Sequence, residues 1–413
     1  MTILNITIFF ILLKAIIEWT LSTLNAQNVK KHRNKIPDAY ANDMDMETYE
    51  KSNNYTLTKN TFGKIELVWD SIYAILTLCF LLPPLYSYFQ PILGDTIWGQ
   101  AGLLIVITTI LGVVNIPFEL WSQFVIEEKF GFNKSSFKLW VMDKIKGTLI
   151  GLVIGIPLLS LLLWFFKVLP ETWWIWGFIA FFAFQLLMMV LYPVLILPLF
   201  NKLSPLPEGE LKDRLMDLSE RTGFRAKTIQ VIDGSKRSGH SNAYFTGFGK
   251  FRRIVLYDTL IEQLTPEELE AVLAHEIGHY KMNHIPKMLT VSSLFMISGF
   301  YIIHLLSGSS WFIEGFGLPS DTGSMIPALL LFSLIAGYYT FWISPIMNFW
   351  SRKNEYEADN FAKDGLQDPM PLIHALRKLQ TKNLGNLNPH PLYSAFHYSH
   401  PTIQEREASL LKQ

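Results

Sequence analysis

The chain is short of cysteine, of net charge and, in places, of any charge at all. One residue of 413 is cysteine, Cys79, so an intrachain disulfide is impossible and a secreted disulfide scaffold is excluded. Lysine plus arginine and aspartate plus glutamate balance at 35 each. With neither sign in excess, no global field draws in nucleic acid, and no nucleic-acid partner is expected. Charge is also missing locally: 71 to 94, 96 to 118, 147 to 166, 172 to 201, 288 to 313 and 322 to 351 carry no Asp, Glu, Lys or Arg. Each run reaches the roughly 20 residues with which a helix crosses a hydrocarbon core about 30 Å thick. With 50% hydrophobic residues and a mean hydropathy of +0.24, intrinsic disorder and a soluble enzyme are both excluded.

A seventh apolar segment, from about Ile3 to Leu21, holds Lys14 and Glu18 at i,i+4 spacing, where they can pair on one helical face. It lacks a basic leading region and a small-residue cleavage site, so a retained first span is expected rather than a signal peptide; an interfacial helix is the alternative. The cations choose the orientation. Segments 22 to 64, 119 to 147, 201 to 286 and 347 to 413 carry 32 of the 35 lysines and arginines. By the positive-inside rule these segments and the C-terminus are cytoplasmic and the N-terminus lies across the membrane. Trp173, Trp174 and Trp176 then read as an aromatic belt on the far side. Pro83, Pro84, Asn115, Pro117, Pro157, Gln185, Pro193 and Pro198 interrupt the spans and should face protein or a wet cavity, unless they merely kink the helices.

The expected fold class is an α-helical multi-span membrane protein with a small α+β domain on the cytoplasmic face. Residues 1–200 hold spans one to five, 201–286 the first part of the soluble domain, 287–347 spans six and seven, and 348–413 its C-terminal part. In the soluble part Glu208 to Thr222 reads as an amphipathic helix with Leu211, Leu215 and Leu218 on one face. Thr228 to Ile232 and Arg253 to Tyr257 read as strands, and Ala243 to Thr246 pairs with the latter across a turn at Gly247 to Lys250.

Chemistry concentrates in LTPEELEAVLAHEIGHYKMNH, Leu264 to His284. Thr265 before Pro266, with Glu268 three residues on, forms a capping box, and Leu264 with Leu269 a hydrophobic staple, so a helix starts here. His275 and His279 lie one turn apart on it and can grip one zinc ion, with Glu276 placed to hold the attacking water. A third protein ligand is required. Glu355 in SRKNEYEADNFA is the candidate, because two membrane crossings return the chain to the face from which His279 departed. Asp359, one turn later, can accept a hydrogen bond from a ligand imidazole. Glu357 is the rival ligand, but i,i+2 spacing turns it from the Asp359 face. Asn242 precedes a probable edge strand, where its amide can bond a substrate backbone, and His400 can stabilise an oxyanion. His240, His284, His374 and His397 read as surface or packing residues.

HEIGH at 275–279, NEYEAD at 354–359, SKRSGHSNAYFTGFGKFRRIVLYDTLI at 235–261, VIEEKFGFNKSS at 125–136 and HYSHP at 397–401 together resemble the type 1 CAAX prenyl endopeptidases, over nearly the whole chain. The resemblance implies seven spans forming a barrel-like, water-filled chamber capped by a zinc metalloprotease domain. It implies one zinc ion on His275, His279 and Glu355, Glu276 as general base, Asn242 and His400 lining the cleft, and Arg406 nearby. The implied substrate is a peptide or protein prenylated at its C-terminus, cut after the modified cysteine to release the last three residues, with the lipid bilayer as the other partner. A broad-specificity protease of membrane-protein quality control uses the same residues, and a transporter with an accidental H-E-x-x-H is the distant alternative. The C-terminal LLKQ shows no dilysine retrieval pattern; the expected location is a bacterial inner membrane, with the endoplasmic reticulum as the alternative.

Overall fold

Each charge-free run lies in a helix or a helix pair. The computed structural model describes residues 2–41, 43–224, 228–246, 253–320 and 323–412. The membrane part comprises α1 (Ile3–His32), α2 (Met46–Leu93), α3 (Ile97–Val113) and α4 (Ile116–Phe130), then α5 (Phe137–Val168) and α6 (Trp173–Leu199). The soluble part follows with β1 (Leu203–Pro205), α7 (Glu210–Arg221), β2 (Thr228–Ile232), β3 (Ala243–Thr246), β4 (Arg253–Tyr257), α8 (Asp258–Gln263) and α9 (Pro266–Lys281). The chain returns to the membrane through α10 (His284–Ser307) and α11 (Ser310–Glu314), and comes back through α12 (Ile326–Leu366). Helices α13 (Met370–Lys382), α14 (Pro391–His397) and α15 (Ile403–Leu410) finish the soluble domain.

Among the described residues six helices are long and apolar enough to span, and seven if the bent pair α3–α4 counts as one. The bend of 49° falls where expected, at Asn115 and Pro117, since proline removes a backbone donor. Pro83, Pro84 and Pro193 likewise sit beside or within π turns, at Thr77–Leu81 and Tyr192–Ile196. Contacts run α1 to α2, α3, α5, α6, α10, α12 and back to α1, which closes a ring. Five spans bury only 6 to 17% of their apolar window inside the protein, and α12 buries 44%. The spans form a closed ring, with α12 also touching α3, and their exposed apolar surface includes the faces turned to lipid. Trp173, Phe300, Phe312, Phe316, Leu318 and Met325 pack in the apolar cluster among the spans and α11.

Several expectations are corrected. Lys14 and Glu18 do not pair: the Lys14 ammonium lies 5.5 and 5.6 Å from the ring centroids of Tyr338 and Phe341, and Glu18 meets His397 at 3.3 Å. Each charge has its neighbour on another helix, the Tyr338 and Phe341 rings of α12 for Lys14 and His397 of α14 for Glu18. Trp173 is fully buried against Phe166 and Phe300, so of the three tryptophans only Trp176 is openly exposed. Segment 22–64 is mostly helix, because α1 and α2 continue well beyond the apolar runs.

The sheet has the order β1-β2-β4-β3, with β2 and β4 parallel and both edges antiparallel. The strands expected at 228–232, 243–246 and 253–257 are all present, and β1 is an addition; its three residues are too few for a period-2 signal. The turn expected at Gly247 to Lys250 lies outside the described residues. Leu215 and Leu218 of α7 bury with Ile254 and Leu256 of β4 against Leu269, Leu273 and Ile277 of α9, and Leu372 and Ile373 of α13 close the other side.

Candidate metal centre

Helix α9 begins as its sequence dictates. The Thr265 side chain accepts from the Glu268 amide at 3.3 Å, while Glu268 accepts from the Thr265 amide at 2.9 Å. Its apolar face enters the soluble core and leaves His275, Glu276 and His279 on the other. There α12 crosses closely, because residue 278 is glycine. A Cβ at Gly278 would stand 2.9 Å from Ala358 Cα and 3.0 Å from its carbonyl oxygen. That approach lets Glu355, which belongs to the soluble-domain continuation of α12, reach both histidines.

The two Nε2 atoms of His275 and His279 are 3.2 Å apart. Glu355 Oε1 lies 3.2 Å from His279 Nε2 and Oε2 lies 3.4 Å from His275 Nε2. Donor atoms of all three fall within 4.8 Å of one another. Asp359 Oδ1 is 2.8 Å from His275 Nδ1. A carboxylate only accepts, so this contact puts the proton on Nδ1 and leaves Nε2 as a lone pair. Arg406 Nη2, a donor, stands 3.2 Å from the same Nδ1, and the shorter carboxylate contact prevails. Glu355 Oε2 is buried and has no hydrogen-bond partner among the described residues. Electron-rich atoms thus converge around Glu355, whose Oε2 has the Arg406 guanidinium at 3.6 Å but no hydrogen bond, and a dication would satisfy them. Two imidazoles and one carboxylate, with a fourth position open, are a zinc hydrolase donor set.

Burial and the Arg406 charge oppose protonation of His275, but the neighbouring Asp359 and Glu355 carboxylates outweigh them and its pKa is raised. Burial lifts the Glu276 carboxyl above the usual carboxylate range, against the pull of His275 and His279. Arg406 stands near the centre, as the resemblance implies. It is buried on α15, donating to Asp359 through Nε at 2.8 Å and Nη2 at 2.5 Å. Asp359 is its hydrogen-bonding partner, and its Nη1 also lies 3.6 Å from Glu355 Oε2.

His400 is mostly exposed, and its Nε2 lies 3.4 Å from Glu355 Oε1. Asn242 precedes β3, which is an edge strand as expected; its Oδ1 accepts from the Ala243 amide at 2.8 Å and its carbonyl from Tyr257 at 3.1 Å. Those partners keep Asn242 in the sheet, and the structure records no contact between it and the His275–His279–Glu355 group. His284, read from sequence as a packing histidine, lies 3.0 Å from His279 Nδ1, and its Nε2 lies 3.1 Å from Glu357. The sequence signal for it was the fifth position after His279 in HYKMNH, just past the end of α9.

Residues 25–202 match the family model described as CAAX prenyl protease N-terminal, five membrane helices, and residues 205–413 match peptidase family M48. CAAX prenyl protease 1 of Saccharomyces cerevisiae is 38% identical, over 93% of this chain and 90% of that one. The Dictyostelium discoideum homolog is 35% identical, over 99% and 96%, and the Homo sapiens homolog 31%, over 93% and 90%. The crystal structure of S. mikatae Ste24p superposes with a TM-score of 0.91 at 35% identity and covers 99% of both chains.

Proposed function

The chain belongs to the type 1 CAAX prenyl protease branch of peptidase family M48, and on that premise we propose which residues perform its hydrolysis. It is a multi-pass membrane metalloendopeptidase, and His275, His279 and Glu355 hold its zinc. Zinc in such a site supplies Lewis acidity, acidifying a water and polarising the scissile carbonyl. Glu276 takes the proton from the attacking water as its oxygen bonds the carbonyl carbon. It then hands that proton to the leaving amine nitrogen as the C–N bond breaks. Asp359 holds His275 with its lone pair toward the metal, and Arg406 keeps Asp359 in place. His400 donates to the oxyanion from the open side, and Asn242 pairs with substrate backbone at the β3 edge.

The substrate we propose is a CAAX peptide prenylated on its cysteine. The relatives named above support this reading, each being CAAX prenyl protease 1 or a homolog of it. The relatives named above are eukaryotic, so the expectation of a bacterial inner membrane finds no support; the endoplasmic reticulum membrane takes its place. The convergence of one donor atom each from His275, His279 and Glu355, all within 4.8 Å of one another, carries the proposal. Its test is the purified full-length chain, assayed for bound zinc and for cleavage of one CAAX peptide with and without its prenyl group. A stoichiometric ion and cleavage of the prenylated form alone are expected. Equal cleavage of both would favour the broad quality-control protease, and absence of zinc would overturn the centre.

A further inference from the structure

One ligand of the centre has its orientation explained above, through Asp359, and the other does not. His279 Nδ1 has its own neighbour, and that neighbour belongs to the next helix. Helix α9 ends as the amide of Met282 donates to the Gly278 carbonyl at 2.9 Å and that of Asn283 to Tyr280 at 3.1 Å. Asn283 then takes a left-handed conformation, φ 57°, which asparagine tolerates better than most residues. The reversal starts α10 at once and brings His284 back over the last turn of α9.

His284 is buried, with its Nδ1 3.0 Å from His279 Nδ1 and its Nε2 3.1 Å from Glu357 Oε2. Three hydrogen-bonding rules then fix every proton in the row. Glu357 only accepts, so His284 carries its proton on Nε2. Two facing Nδ1 atoms share one proton, and a neutral His284 has none there, so His279 supplies it. His279 Nε2 is left bare, pointing at His275 Nε2 and Glu355. The row Glu357–His284–His279 does for the second histidine what Asp359 does for the first.

We propose that His284 and Glu357 are positioning residues that set the tautomer and ring orientation of His279 for metal binding. The proposal rests on the zinc-centre reading above. It assigns a use to Glu357, whose i,i+2 offset from Glu355 turns it away from the metal and toward α10. Glu357 is therefore not silent, although it is no ligand. An outer hydrogen bond of this kind is worth about 10- to 100-fold in metal affinity or activity.

Two amide substitutions separate a proton-setting role from a packing role. His284→Asn places a carbonyl oxygen where Nδ1 stands and keeps an acceptor for His279. His284→Gln extends its amide toward Glu357 and leaves His279 without that acceptor. Zinc affinity is measured by chelator competition on the full-length protein in detergent, beside His275→Ala as a control that strips a ligand. His284→Gln and His284→Ala should lose about 10- to 100-fold in zinc affinity, and His284→Asn should recover most of it. Glu357→Leu should fall with them, because nothing then holds the His284 proton on Nε2. Equal melting temperatures of the metal-free Asn and Gln variants would place their difference at the centre and not in folding. If His275→Ala loses zinc while His284→Gln binds it as the wild type does, or if Asn and Gln weaken it alike, the positioning role is overturned. Zinc retained by His275→Ala would overturn the centre, and the proposal with it.

Discussion

Glu276 and Asp359 are both carboxylates at the centre, and their surroundings give them opposite tasks. Glu276 has a raised pKa from burial and no side-chain partner that competes for its proton, so it suits proton transfer. Glu276→Gln should keep zinc and fold while turnover falls by about 10²- to 10⁴-fold, the usual worth of a general base; metal analysis beside a peptide-cleavage assay checks both halves. Asp359 is committed to His275 and Arg406. Arg406→Met would leave the buried Asp359 carboxylate without its guanidinium and should cost about 3–5 kcal/mol in stability, measured by denaturant unfolding. Adding Asp359→Asn to that variant should return part of the loss, since the unpaired charge goes with it. H-E-x-x-H and Glu355 were legible in the sequence because a helix period and a count of membrane crossings bring them together. Arg406 and His284 were not legible in role. The partner of Arg406 lies on another helix 47 residues away, and His284 depends on a left-handed residue that its own sequence does not announce.

At the scale of elements, the crossing of α9 and α12 makes the site. Gly278 sits where any side chain meets backbone atoms of Ala358, which cannot swing aside as a flexible side chain would. Gly278→Ala should push the helices apart, cost about 1–3 kcal/mol as overpacking does, and weaken zinc binding because Glu355 retreats from both imidazoles. Thermal unfolding and chelator competition on the same sample read the two effects. An unchanged zinc affinity would show that the crossing has slack. Strands β2, β3 and β4 and helices α7 and α9 were readable from periodicity and capping, whereas β1, α8 and the C-terminal helices α13 to α15 were not. The inter-helix partners of Lys14 and Glu18 were not, because i,i+4 spacing describes one helix and their partners stand on two others.

At the scale of the molecule, the charge asymmetry predicts the orientation of the spans. Glu220 near the end of α7 and Glu171 between α5 and α6 are exposed on soluble-domain and far-side segments. With Cys79 replaced by serine, single cysteines at these two positions should react with a membrane-impermeant reagent from opposite sides, Glu220 from the cytoplasm. Labelling of both from one side would break the seven-crossing topology. That topology also bears on how Glu355 meets His279 from 76 residues further along. Closing a flexible loop of that length in water costs about 4 kcal/mol of chain entropy, besides a constant term. Here α10 and α12 pack as a pair of spans, so their membrane insertion meets much of that entropy. The bilayer acts as the cross-link that a chain with one cysteine cannot make for itself. A detergent that loosens the α10–α12 pair should therefore release zinc before it unfolds the sheet.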